Sequence, residues 1–107
     1  MKILNFTKKL EKPLTLYISS KSLNLDSPDK NVKIRGGPLK HKYSFYAMHW
    51  HWGRDNTCGS EHLVNGQKTA LELHCIFINE KYPTIDLALK NRDGLAVLAV
   101  LYTVNVE

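Results

Sequence analysis

The amino-acid sequence predicts a mainly β (α+β) domain with one short helix, and three observations carry that reading. Two long aromatic and aliphatic segments, 42–52 and 68–78, have the composition and alternation of strands. Turn chemistry separates the apolar stretches throughout: "DSPDKN" at 26–31, "RGGPLKH" at 35–41 and "NG" at 65–66. A single stretch, 82–94, has helical spacing, and it precedes a continuous apolar run. At 107 residues, 43% hydrophobic and 23% charged, the chain has the composition of one globular domain with a modest core.

The elements follow in order. "LTLYI" (14–18) and "SLNL" (22–25) read as short strands, followed by the two turns at 26–31 and 35–41. "KYSFYAMHWHW" (42–52) reads as one long strand, and "GRDNTCGSEH" (53–62) as a polar loop. Asn65–Gly66 marks a tight hairpin before the second long strand, "KTALELHCIFI" (68–78). "YPTIDLALKNRDG" (82–94) reads as a short helix, with Pro83 near its start, Ile85, Ala88 and Leu89 on one face and Gly94 at its end. "LAVLAVLYTV" (95–104) reads as a strand covered on both faces.

Charge and cysteine content exclude more than they assign. The net charge is +5, with ten Lys/Arg against three Asp/Glu in residues 1–42 and five against seven in the rest. The basic residues are scattered without interleaved aromatics, so they read as a solvated surface and not as a nucleic-acid interface. Cys58 and Cys75 read as free thiols. The apolar run from Gly94 is about half the length a membrane-spanning helix needs, so no membrane span is expected. The absence of a signal-like apolar segment at the start gives a cytoplasmic expectation; a secreted protein is the alternative if the N-terminus is incomplete.

The chemistry is concentrated in "MHWHWG" (48–53) and "ELH" (72–74). Residues i and i+2 of a strand share a face, so His49 and His51 project together, away from Met48, Trp50 and Trp52. Glu72 and His74 share a face in the same way. If the two strands are neighbours, His74 joins His49 and His51 around one ion. Three neutral imidazoles suit Zn²⁺ and leave a fourth tetrahedral position open, which is the arrangement of a catalytic site and not of a closed structural one.

In order and spacing, "RGGPL", "MHWHWG", "GSEHLVNG", "ELH" and "DGLAVL" resemble the signature segments of the α-class carbonic anhydrases from about Lys12 onward. The resemblance implies a central, mostly antiparallel twisted sheet and zinc-dependent reversible hydration of carbon dioxide to bicarbonate. It implies His49, His51 and His74 as zinc ligands, with Glu72 accepting the second ring N–H of His74. It further implies that Glu61 orients a threonine hydroxyl and that His62 is a buried histidine hydrogen-bonded nearby. Ile76 and Val97 are implied as walls of the carbon dioxide pocket.

The chain also departs from that pattern. Ala47 stands where the family carries a glutamine bonded to the first ligand. No histidine precedes His41, so the proton-shuttling histidine of fast members has no match. The chain stops at Glu107, so residues 1–107 are expected to be a single partial domain, lacking the C-terminal half that carries the threonine. The expected function is therefore that of a carbonic anhydrase fragment with reduced activity. The alternative is a catalytically weak or inactive carbonic-anhydrase-related binding protein. The oligomeric state is left open.

Overall fold

A computed structural model describes the backbone of residues 4–7, 15–18 and 22–26 and the full structure of residues 32–104. The described strands are β1 (Leu4–Thr7), β2 (Thr15–Ile18), β3 (Ser22–Asp26), β4 (Lys33–Gly36), β5 (Leu39–Trp52), β6 (Leu71–Asn79) and β7 (Leu95–Tyr102). A single short helix, α1 (Ile85–Leu89), lies between β6 and β7. All seven strands join one sheet, and every pairing is antiparallel. The mainly β class with one short helix is thus the observed one.

β5 is the spine of the sheet. One of its edges carries β4 against its first half and β3 against its second, which in turn bring in β1 and β2. Its other edge pairs with β6 over nearly the whole of that strand, and β7 pairs with β6. The core lies on one face, where Val32, Ile34, Tyr43, Phe45 and Phe77 are buried and Met48, Cys75, Ala96 and Leu98 pack against them. The rings of Phe45 and Phe77 meet edge to face at 5.7 Å, the favoured geometry for an aromatic pair.

A β-bulge in β5 decides which side chains face that core. Phe45 stands opposite Phe77, yet Ala47 stands opposite Ile76, so Tyr46 is the extra residue. Before the bulge, odd-numbered residues (Tyr43, Phe45) face the core. After it, even-numbered residues do, and Ala47, His49 and His51 pass to the opposite face. A single uninterrupted strand would have put the histidines on the same side as Phe45.

Several expected boundaries differ. The stretch expected as a turn at 35–41 is only a tight connection at Gly36, Gly37 and Pro38, and Leu39–His41 already belong to β5. Gly36 (φ 90°) and Gly37 (φ 55°) supply the left-handed backbone that lets the strands reverse so sharply. β4 and β1 were not anticipated, because at four residues each their alternation is too short to stand out from the polar stretches around them. Of the turn expected at 26–31, Asp26 ends β3 and the remainder lies outside the described residues, as does Leu14 of the first expected strand.

The hairpin at Asn65–Gly66 is present, with both residues at positive φ (51° and 76°) and paired Val64–Gln67 backbone hydrogen bonds of 2.9 and 3.0 Å. It is a separate small loop, since β6 begins at Leu71 and not at Lys68. The helix is five residues instead of thirteen. Thr84 caps it by accepting from the Leu87 N–H at 3.2 Å, and Leu89 is exposed instead of joining Ile85 and Ala88 inward. Gly94 does not end the helix but lies against it: a Cβ there would sit 1.7 Å from the Ala88 carbonyl oxygen.

β7 was expected to be covered on both faces. Among the described residues it pairs only with β6, and Val97 and Tyr102 are exposed. Trp52, in the row of Leu71 and Tyr102 at one end of the sheet, is 48% exposed.

Candidate metal centre

The register across β5, β6 and β7 lays out a second face in rows. Ala47, Ile76 and Val97 form one row, His49, His74 and Ala99 the next, and His51, Glu72 and Leu101 the third. Three histidines therefore converge because antiparallel pairing sets His49 directly across from His74, while His51 sits two residues along on the same face. Their ring centroids are 4.7, 4.8 and 5.2 Å apart, and one nitrogen from each lies within 4.8 Å of the others.

The ring nitrogens of His74 are divided between two sides. Its Nε2 hydrogen-bonds the Glu72 carboxylate, and its Nδ1 lies 3.3 Å from His49 Nε2. Donating Nε2–H to a carboxylate leaves the Nδ1 lone pair aimed at the other two rings. Nε2 of His51 is buried and has no hydrogen-bond partner among the described residues. A buried imidazole nitrogen without a partner is unfavourable, and a cation shared with His49 and His74 gives it one. The residues present thus fit a zinc ion.

Electrostatics favour the same occupant. Burial lowers the proton affinity of His49, and the neighbouring His51 and His74 lower it further, so its lone pair stays free below the ordinary histidine value. Glu72 is fully buried. Burial would raise its carboxyl, but hydrogen bonds from His62 and from His74 outweigh that and hold it below the usual carboxylate range. It is therefore a buried anion whose charge is neutralised by donors, one of them His74 itself.

The loop after β5 brings in the remaining groups. Ser60 pins it to the start of β6: its N–H donates to the Thr69 carbonyl (3.0 Å), its hydroxyl donates to the His62 carbonyl (2.8 Å), and the Thr69 N–H donates to that hydroxyl (2.8 Å). Ser60 is 1% exposed and was not singled out in the sequence, where nothing separates it from other loop serines. Anchored there, Glu61 places its two carboxylate oxygens 3.7 Å from His51 Nδ1 and 3.7 Å from His74 Nδ1. His62 donates its backbone N–H to Glu72 (3.1 Å) and sets its Nδ1 3.0 Å from the same carboxylate. That carboxylate raises the proton affinity of the His62 ring. His62 was expected to be buried; its side chain is 67% exposed, because only one edge of the ring turns inward to Glu72.

Ile76 and Val97 are paired across β6 and β7 in the row beside His49 and His74, so they lie on the histidine face. Val97 is 55% exposed, which leaves that apolar wall open to water. Ala47, in the same row, offers no hydrogen-bonding group beside His49. A cavity of about 560 Å³ lies elsewhere, lined by Lys33, Ser44, Tyr46, Glu80, Tyr82 and Thr84 among others. Its charged groups, Lys33 and Glu80, pair with each other. The metal-binding chemistry is on the open sheet face instead.

The model of eukaryotic-type carbonic anhydrases matches residues 1–107. The chain belongs to that family. Its similar relatives include carbonic anhydrase 3 of Homo sapiens, 44% identical over 82 residues that make up 77% of this chain and 31% of that protein. Carbonic anhydrase 3 of Mus musculus is 43% identical, and that of Equus caballus 44%, over the same shares. The chain therefore matches about a third (31%) of the length of these carbonic anhydrases. Zinc dependence belongs to the family, and the three converging histidines are a group that could hold that ion here.

Proposed function

We propose that this chain binds one zinc ion through His49, His51 and His74 and uses it for the reversible hydration of carbon dioxide. The observation that carries the proposal is the convergence of one ring nitrogen from each of three histidines, together with the buried His51 Nε2 that has no partner among the described residues and that a shared cation can satisfy. When bound, zinc supplies the Lewis acidity that makes a hydroxide nucleophile available near neutral pH, the behaviour for which carbonic anhydrase itself is the known example.

The residues of the chain hold and orient. Glu72 fixes the His74 tautomer by accepting its Nε2–H, so that Nδ1 points to the ion. The His62 N–H and ring keep Glu72 in place. Glu61, within 3.7 Å of two ligand rings, is the carboxylate placed to accept a hydrogen bond at the open position. Ile76 and Val97 offer apolar surface beside it, suited to an uncharged substrate such as carbon dioxide.

A second reading, a carbonic-anhydrase-related protein that binds without turnover, is favoured by one observation: Glu61 and Val97 are 58% and 55% exposed, so the described site does not exclude water. Metal analysis combined with stopped-flow hydration separates the two. One zinc per chain with hydration lost in His74→Ala supports the enzyme; one zinc per chain with no hydration supports the binding protein. A chain that takes up no zinc contradicts both.

A further inference from the structure

His74 belongs to two three-ligand sets at once. On its Nδ1 side are His49 and His51. On its Nε2 side are Glu72 and His62, whose ligand atoms also lie within 4.8 Å of one another and of His74. The second set is two imidazoles and a carboxylate, a donor combination that suits zinc and other borderline divalent ions. Its geometry is built, not incidental. Glu72 is fully buried, with Oε1 held by the His62 N–H, while Oε2 faces both His62 Nδ1 and His74 Nε2. The His62 and His74 rings stand nearly perpendicular, with centroids 5.9 Å apart. This set reaches solvent through His62, whose side chain is 67% exposed, while the first reaches it through the half-buried His49 and His51.

A neutral imidazole has one lone pair to give. With its proton on Nε2, donated to Glu72, His74 can ligate only toward His49 and His51. With the Nε2 proton released to solvent and one taken up at Nδ1, it can ligate only toward Glu72 and His62. In that second form the Nδ1–H has His49 Nε2, 3.3 Å away, as its acceptor.

We propose that His62, Glu72 and His74 form a second, solvent-accessible site for a divalent transition-metal cation, and that the His74 tautomer makes it exclusive of the first. Such a site gives an ion a second approach to His74, past the exposed His62 ring, besides the open sheet face. This goes beyond the proposed hydration activity and does not depend on turnover.

Cobalt(II), whose visible absorption reports tetrahedral coordination, is the probe. The parent chain is expected to saturate at one equivalent, and so is His62→Ala, though with weaker affinity, because its ring no longer holds Glu72. The His49→Ala/His51→Ala variant is expected to bind one equivalent still, and to lose it when His62→Ala is added. If the double variant loses the β-sheet circular dichroism of the parent, the same comparison is made in His49→Gln/His51→Gln, which keeps polar side chains of similar size at both positions. Absence of cobalt binding in a folded double variant overturns the second site. Two equivalents held together by the parent overturn the exclusivity. Failure of the first set has a different signature: His62→Ala alone then loses binding while His49→Ala/His51→Ala keeps it.

Discussion

Glu72 carries a negative charge in a fully buried position, which an isolated carboxylate does not sustain. It is sustained here by three donors, two from His62 and one from His74. Replacing it with glutamine keeps the shape and removes the charge, so the His74 ring loses its strong acceptor. Zinc affinity in Glu72→Gln is expected to fall about 10–100-fold, the range for a group that orients a ligand. A competition titration against a chelator of known affinity checks this, and an unchanged constant would mean that Glu72 is only a strand residue. Protons compete for the same nitrogens. Because burial and the neighbouring rings lower the proton affinity of His49, its contribution to metal binding survives below the ordinary histidine value of 6.5 and is lost only as pH falls further. Metal release followed with an indicator dye is expected to have its midpoint below that value; release above it would contradict the shift. The ligand residues are legible in the sequence, because i, i+2 spacing on a strand is a local rule. Ser60 is not. Its importance comes from Thr69 across a loop, and nothing within a few residues of it encodes that contact.

The bulge at Tyr46 is the element on which the site turns. Alternation alone places His49 and His51 together, and that much of the sequence reading stands. What alternation cannot show is that one extra residue separates a core-facing Phe45 from a site-facing Ala47, because the extra residue is recognisable only against the partner strand. Deleting Tyr46 makes Phe45 and Ala47 consecutive opposite Phe77 and Ile76, so plain alternation then keeps Phe45 on the core and the histidines on the other face. Zinc binding is therefore expected to be retained in the deletion, and also in Tyr46→Ala, since the Tyr46 side chain is 43% exposed. Loss of metal in the deletion alone would show that the bend of the bulge, and not only the facing it sets, positions the histidines. The turn between α1 and β7 is a second device. Asp93 accepts from Tyr82 (2.6 Å), faces Lys81 (3.7 Å) and His41 (3.6 Å), and through its backbone carbonyl accepts from Tyr43 (2.8 Å) and Asn79 (3.0 Å). The Tyr82 hydrogen bond and Lys81 hold its carboxyl below the ordinary value of 3.8. A depressed folded-state value stabilises the fold above that ordinary value, and the contribution is lost as pH falls through the folded one. Melting temperature is therefore expected to drop on acidification below about pH 4, and less steeply in Asp93→Asn. Beside it, Gly94→Ala is expected to destabilise by about 1–3 kcal/mol or more, because the added methyl meets the Ala88 backbone, which has no rotamer to yield. The helix was over-read at both ends for a related reason: Tyr82 and Asp93 lie within the expected span 82–94, yet they bond to each other across the connection instead of continuing the helix.

At the scale of the whole molecule, the sheet has one well-packed face and one open one. β7 carries no charge, is apolar on both faces and leaves an unpaired edge among the described residues. Edges of that kind promote association, so the 107-residue polypeptide is expected to self-associate with rising concentration and to do so less in Ala99→Lys. Sedimentation velocity over a concentration series reads both. The same openness bears on the proposed hydration activity. Carbonic anhydrase chemistry needs an oriented acceptor and an apolar wall from which water is excluded, yet Glu61 is 58% exposed and Val97 55%. Glu61 is held only by the loop that Ser60 anchors, with its oxygens at 3.7 Å from two ligand rings instead of in a tight hydrogen bond. One well-oriented group of this kind is commonly worth about 10²–10³ in rate. Hydration by the 107-residue polypeptide is therefore expected to be slower than that of human carbonic anhydrase 3 by about that factor, and these losses need not multiply, because the groups act together. Ala47, which gives His49 no hydrogen bond, adds to the effect. Proton release is expected to depend on external base, so the rate should rise with buffer concentration at fixed pH. Stopped-flow hydration at several buffer concentrations tests this directly. A rate equal to that of the human enzyme and indifferent to buffer would mean that an open sheet face carrying three histidines, Glu61 and Glu72 suffices for full catalysis, and that the exposure of Glu61 and Val97 is irrelevant to it.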